Sequence, residues 1–166
     1  MTLTLILVRH AKSDHPVGTD DHDRPLNDRG RRDAPRMGAW MAERGHVPER
    51  VLCSTATRAA ETWEGLQAGG IDAPVEYDRA LYHAAPDTMI GLLEGQPERS
   101  VMILGHNPGI SMVAGHLARS EPEGSGFATY PTCAVTVLRF PVGDWSEVAP
   151  GTGEVVDFAA PRDLDG

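Results

Sequence analysis

In this 166-residue chain, three apolar runs stop at side chains that can grip or attack phosphorus. Leu3-Thr4-Leu5-Ile6-Leu7-Val8 ends in Arg9-His10, and Arg50-Val51-Leu52-Cys53 leads through Ser54 to Arg58. Ser100-Val101-Met102-Ile103-Leu104 ends in Gly105-His106-Asn107-Pro108. A guanidinium fork matches phosphate oxygens bidentately and never loses its charge. An imidazole with an unperturbed pKa of about 6.5 keeps a free lone pair near neutrality, so it can attack phosphorus or hold a proton. Two of each, gathered where three strands end and helices begin, would form a phosphate site with a nucleophile in it.

For that to happen the apolar runs must be neighbouring strands. Leu3–Val8 is apolar throughout and breaks off in charge, the mark of a central buried strand. Polar residues from Lys12 to about Asp28 form a long connection, a length at which ordered loops are often functional. Asn27 is placed to cap a helix to about Arg44, with Ala34, Met37 and Met41 on one face and Gly45 as its stop; Gly30 and Pro35 weaken its first half. Ser54, Thr55 or Thr57 can cap a second helix carrying Ala59, Thr62, Trp63 and Leu66. A short strand follows at Val75 to Tyr77, then a helix from Pro86 with Met89, Leu92 and Leu93. Asn107 as N-cap and Pro108 at the first helical position start another, striped by Ile110, Val113, Ala114 and Leu117. Thr132–Phe140 alternates as a strand, and Gly153–Phe158 reads as a last edge strand. Alternating strands and helices predict an α/β fold, a three-layer α/β/α sandwich around a mostly parallel sheet, in a single domain over 1–166.

Composition narrows the partners. The net charge of -9 argues against nucleic acid and anionic membranes. No apolar run approaches the ~20 residues of a membrane span, and the N-terminus reads as a strand, not a signal peptide. Cys53 and Cys133 lie 80 positions apart in apolar surroundings and read as buried free thiols, consistent with a reducing cytoplasm. A monomer is expected. His15 and His22 lie among Asp14, Asp20, Asp21 and Asp23, but at no metal-ligand spacing, so a solvated loop is expected and no metal. His46, His83 and His116 read as surface or packing residues, and Trp40 and Trp63 as core. Phe127 and Tyr130 fit a lid or plain packing equally.

The same residues carry a resemblance. Leu7-Val8-Arg9-His10-Ala11-Lys12-Ser13 is similar to the Arg-His-Gly motif of the histidine phosphatase superfamily, with Ala11 replacing Gly. Ser54-Thr55-Ala56-Thr57-Arg58-Ala59-Ala60-Glu61-Thr62 resembles its second motif and Gly105-His106-Asn107-Pro108 its third. Three further stretches resemble the small SixA-type phosphohistidine phosphatases: Arg24-Pro25-Leu26-Asn27-Asp28-Arg29-Gly30, Leu81-Tyr82-His83-Ala84 and Pro131-Thr132-Cys133-Ala134. The resemblance spans nearly the whole chain and implies a phosphoglycerate mutase-like fold.

It also implies roles. His10 is the nucleophile that forms a phosphohistidine intermediate, and Arg9, Arg58 and a protonated His106 bind the non-bridging oxygens. No metal or cofactor is needed, so activity should persist in chelator. Arg24 is either a third cationic contact for substrate at the pocket mouth or a salt-bridge partner of the Asp run. No leaving-group acid stands out: Glu76, Asp78 and Asp87 give no compelling candidate, and Asp21 and Asp23 are possible donors but better solvated loop acids. Phosphohistidine, with its labile P–N bond, needs little acid assistance. The implied substrate is therefore phosphohistidine on a protein, reached without a cap over the pocket. Small phosphate esters hydrolysed by the same mechanism, a non-catalytic phospho-ligand-binding domain, and a metal-dependent hydrolase with histidine ligands are the alternatives.

Overall fold

Strand β1 (Leu3–Arg9) is covered on both faces, which explains its unbroken apolar run. Leu3, Leu5 and Leu7 join one core, and Ile6 and Val8 join the other. The computed structural model describes residues 1–165. With β2 (Arg50–Ser54), β3 (Val75–Asp78), β4 (Ser100–Gly105), β5 (Val135–Phe140) and β6 (Glu154–Ala159), β1 forms one sheet in the order β3-β2-β4-β1-β5-β6. The pairs β1–β4, β4–β2 and β2–β3 are parallel; β1–β5 and β5–β6 are antiparallel. The sheet is mostly parallel, as the sequence predicts.

Helices α1 (Asp28–Glu43) and α2 (Thr57–Gly69) cover the Ile6/Val8 face through Met37, Met41, Trp63 and Leu66. Helices α3 (Pro86–Leu93) and α4 (Gly109–Leu117) cover the other through Met89, Leu93, Ile110 and Val113. The result is the expected α/β/α sandwich. Each fully buried side chain of this size contributes about 1.5–3 kcal/mol, so the two cores fix which strand ends lie side by side.

Three local expectations shift. Helix α1 runs unbroken through Gly30 and Pro35, and Asn27 caps it by accepting the Gly30 N–H at 2.9 Å. Gly30 is there for contact: a Cβ would sit 2.2 Å from the Lys12 carbonyl oxygen, so only glycine lets the first turn approach the loop after β1. Helix α2 is capped by no side chain, because the expected cappers are engaged elsewhere. The Ser54 hydroxyl meets His106 and that of Thr55 meets His22, while Thr57 is already helical. Helix α4 starts at Gly109 with Pro108 as N-cap, one residue later than expected. Asn107 still serves this end, its Oδ1 accepting the Ser111 N–H at 3.3 Å.

The long connection after β1 is clamped at its base. Ser13 and Leu26 form an antiparallel bridge. Asp14 N–H donates to the Pro25 carbonyl at 2.8 Å, and Asn27 N–H to that of Lys12 at 3.0 Å.

Candidate active site

The register of the sheet assembles the site. Arg9 pairs with Gly105 and Cys53 with Leu104, so His10, Ser54 and His106 emerge together at the carboxyl edge of three parallel strands. The His10 backbone is pinned from both sides. Its N–H donates to the Gly105 carbonyl at 3.0 Å, and Cys133 N–H reaches the carbonyls of Arg9 and His10, each at 3.0 Å. Its imidazole Nδ1 lies 2.7 Å from the Ala11 carbonyl oxygen. A carbonyl only accepts, so Nδ1 carries the proton and Nε2 the lone pair. Burial first, then the charges of Arg58, Arg9 and Arg24, push the His10 pKa down to about 4 against the opposing pull of the Ala11 bond. The ring is therefore neutral and nucleophilic at pH 7.

Around it stand Arg9, Arg58 and His106, each held by one edge. Arg9 Nη1 donates to the Tyr130 carbonyl at 2.8 Å. Arg58 donates from Nη1 to the Asp21 carbonyl at 2.6 Å and from Nη2 to Asp21 Oδ2 at 3.1 Å. Thr62 ties this helix to the first loop, accepting the Ala11 N–H at 2.9 Å and donating to the Arg58 carbonyl at 2.7 Å. His106 Nε2 lies 2.8 Å from Ser54 Oγ, which also accepts the Ala56 N–H. Arg9 Nε, Arg58 Nε and His106 Nδ1 are buried without any protein partner. These three residues line one cavity of about 280 Å³, whose two guanidinium groups suit it to an anion.

The expected protonated His106 is corrected here. Burial, then the neighbouring His10, Arg58 and His83, push its pKa down to about 3 despite Asp21, so the ring is neutral at pH 7. It can still donate. When the Ser54 hydroxyl proton is given to Nε2, the ring proton sits on the unpartnered Nδ1.

An outer wall lies where the sequence pointed to solvent. Asp21, expected as a solvated loop acid, is the hub. Its Oδ1 accepts from Arg24 Nε at 3.0 Å, and its Oδ2 meets Arg58, the Tyr82 hydroxyl and, at 3.4 Å, His83 Nε2. The Tyr82 hydrogen bond, then those from Arg58 and Arg24, hold its carboxyl far below the usual carboxylate range. His83, expected at the surface or in packing, lines the cavity with its ring 5.9 Å from that of His106. Arg24 forms the salt bridge to the Asp run, pairing with Asp21, and it also lines the cavity, while Nη1 meets Ser13 Oγ at 2.9 Å and His15 Nε2 at 2.8 Å. His22 meets Thr55 Oγ1 at 2.8 Å instead of standing in solvent. Asp23 remains exposed, paired loosely with His22 at 3.6 Å. Among the described residues no group of three or more His, Cys, Asp or Glu side chains is placed to share a metal.

Phe127 and Tyr130 resolve to packing: both are buried, and the Tyr130 hydroxyl donates to the Leu7 carbonyl at 2.9 Å. Beyond His83 and Asn107 the cavity adjoins an apolar trough of about 270 Å³, walled by Ala84, Ala85, Pro86, Pro108 and Met112. Cys53 and Cys133 are free and buried, and burial pushes both thiols up. Asp21, Tyr82 and His83 are the site residues that strand and helix periodicity could not find. Their signals were the length of the loop after β1 and the Leu81-Tyr82-His83-Ala84 stretch.

The chain is similar to known proteins in sequence and fold. Residues 5–83 match the sequence model of the histidine phosphatase superfamily, branch 1. An uncharacterized Mycobacterium tuberculosis protein is 41% identical over 162 residues, covering 93% of this chain and 100% of its own. The structure of a candidate phosphohistidine phosphatase SixA from Nakamurella multipartitia superposes with a TM-score of 0.82 at 31% identity, covering 97% of each chain. A second candidate SixA, from Agrobacterium tumefaciens, gives 0.77 at 26% identity over 96% of this chain and 98% of its own.

Proposed function

This chain belongs to the histidine phosphatase superfamily, in its SixA-type branch, and on that premise we propose that it removes the phosphoryl group from phosphohistidine on another protein. His10 Nε2 attacks phosphorus, a new P–N bond forms, and the substrate imidazole departs. Water then cleaves the phosphohistidine on His10 and releases phosphate. Arg9 and Arg58 hold the non-bridging oxygens with their free Nε edges, and His106 donates from Nδ1. The observation that carries this reading is the single-tautomer, neutral His10 set among three buried donors without partners.

A protein substrate is favoured by the approach to the site. His83 on the rim is 60% exposed in its side chain, and the adjoining trough offers apolar ground to the segment that flanks the phosphorylated residue. We take residues 1–166 as one catalytic domain that acts as a monomer, without metal or cofactor. Two buried free thiols suit the reducing cytoplasm.

The test is phosphate release from a phosphohistidine protein beside a panel of phosphate esters, in chelator. Wild type should prefer phosphohistidine, and His10→Ala should lose at least about 10⁴-fold in kcat. Faster turnover of an unactivated ester would move the substrate class. Binding of phosphopeptide without turnover would make the domain a non-catalytic reader. Activity that vanishes in chelator and returns with metal would replace the mechanism.

A further inference from the structure

We propose that His83 supplies the proton to the leaving group and that Asp21 is its positioning partner, an assignment that rests on the phosphatase reading above. The backbone of His83 sits at φ +58°. A side chain with a Cβ is strained in that left-handed region, and such strain persists where the surroundings over-determine it. The His83 ring lies 4.0 Å from that of Tyr82, and its Nε2 lies 3.4 Å from Asp21 Oδ2.

Position assigns the role. His10 is 8% exposed at the floor of the cavity, whereas the His83 side chain is 60% exposed at its rim. In-line displacement puts the leaving atom on the side of phosphorus away from the nucleophile, which is the rim. Among the other side chains here, lysine and arginine are residue types that make poor proton donors near neutrality. The Tyr82 hydroxyl proton is bound to Asp21. His15 Nε2 accepts from Arg24 at 2.8 Å. An imidazole is the side chain whose proton moves readily at this pH.

In the first step the bond from phosphorus to the leaving oxygen breaks as His10 Nε2 bonds phosphorus. The electron pair on the departing oxygen takes a proton from His83 Nδ1, since Nε2 faces Asp21, and an alcohol leaves. In the second step water bonds phosphorus and returns a proton to the His83 ring, while the P–N bond breaks and returns its pair to His10. Both histidines are restored, and inorganic phosphate is the product. A departing alkoxide depends on this proton strongly and a phenolate weakly, so His83 extends the reach of the site to unactivated phosphate monoesters.

The experiment compares wild type with His83→Asn on ethyl, phenyl and p-nitrophenyl phosphate and on a phosphohistidine protein. Asparagine tolerates the left-handed backbone but cannot transfer a proton, so the fold should be retained. Loss in kcat/KM should be about 100-fold on ethyl phosphate and shrink steadily as the leaving group becomes more acidic. Asp21→Asn should steepen the same leaving-group dependence, which a purely structural role would leave flat. An equal loss on all esters, or wild type that hydrolyses phosphohistidine and no ethyl phosphate, overturns the assignment while the phosphatase reading stands. Wild type that releases phosphate from none of the substrates overturns that reading, and the role of His83 with it.

Discussion

The inner and outer walls of the cavity are built in different ways. On the inner wall, main chain or fully buried groups hold the functional side chains: Ala11 carbonyl on His10, Tyr130 carbonyl on Arg9, Ser54 on His106. On the outer wall, side chains hold side chains, with a half-exposed Asp21 joining Arg24, Tyr82 and His83. Arg58 belongs to both, since it is 3% exposed yet grips Asp21. Main-chain anchors fix geometry at little cost in side-chain entropy, whereas an exposed hub is screened and must be ordered each time. What every phosphoryl substrate shares therefore falls to the inner wall, and what distinguishes substrates meets the outer one.

That division can be broken in four places. Arg58→Ala should lower kcat/KM by about 10³-fold, with no rescue from Arg58→Lys because a lysine cannot offer a bidentate edge. A loss below tenfold would mean that Arg58 braces Asp21 and little more. Acid should destabilise the inner wall next. In the unfolded chain both histidines take a proton below about 6.5. In the folded chain His10 does so only near 4 and His106 near 3. The unfolded state thus binds more protons between these values, and stability falls as pH drops through that window. At pH 5 the loss should be on the order of 2 kcal/mol for each ring. Urea midpoints at pH 7 and 5 measure it, and His106→Gln should remove about half.

Two smaller effects sharpen the contrast. Ser54→Ala leaves His106 Nε2 without its partner and should cost about tenfold in kcat/KM at unchanged fold, since a buried polar atom left unpaired costs about 1–3 kcal/mol. Arg24→Ala should raise KM about threefold and spare kcat, the signature of binding shared by ground and transition states. If steady-state kinetics instead show kcat falling as far as in Arg58→Ala, the two walls act as one.

The same division decides what was legible in the sequence. Arg9, His10, Arg58 and His106 follow apolar runs whose pattern announces strands, so their place at strand ends is legible, while the neighbouring order of those strands comes from the resemblance. Asp21, Tyr82 and His83 sit in short 3-10 turns (Asp21–Asp23 and Arg79–Leu81) and the residues beside them, where no period operates. Their contacts join segments about sixty residues apart, which local pattern does not encode. The expected cap of α2 failed for a related reason. Ser54 and Thr55 have the right chemistry to cap α2, and the site claimed their hydroxyls first.

The clamp under the loop after β1 has a consequence of its own. Because Ser13 and Leu26 are bridged and Asn27 is tied to Lys12, the stretch between them can lengthen or shorten without moving His10. Closing a longer loop on fixed ends costs only about 0.6 kcal/mol for each doubling. The segment is a cassette of adjustable length: the mouth of the cavity can be rewritten around Asp21, provided that residue keeps its grip on Arg58.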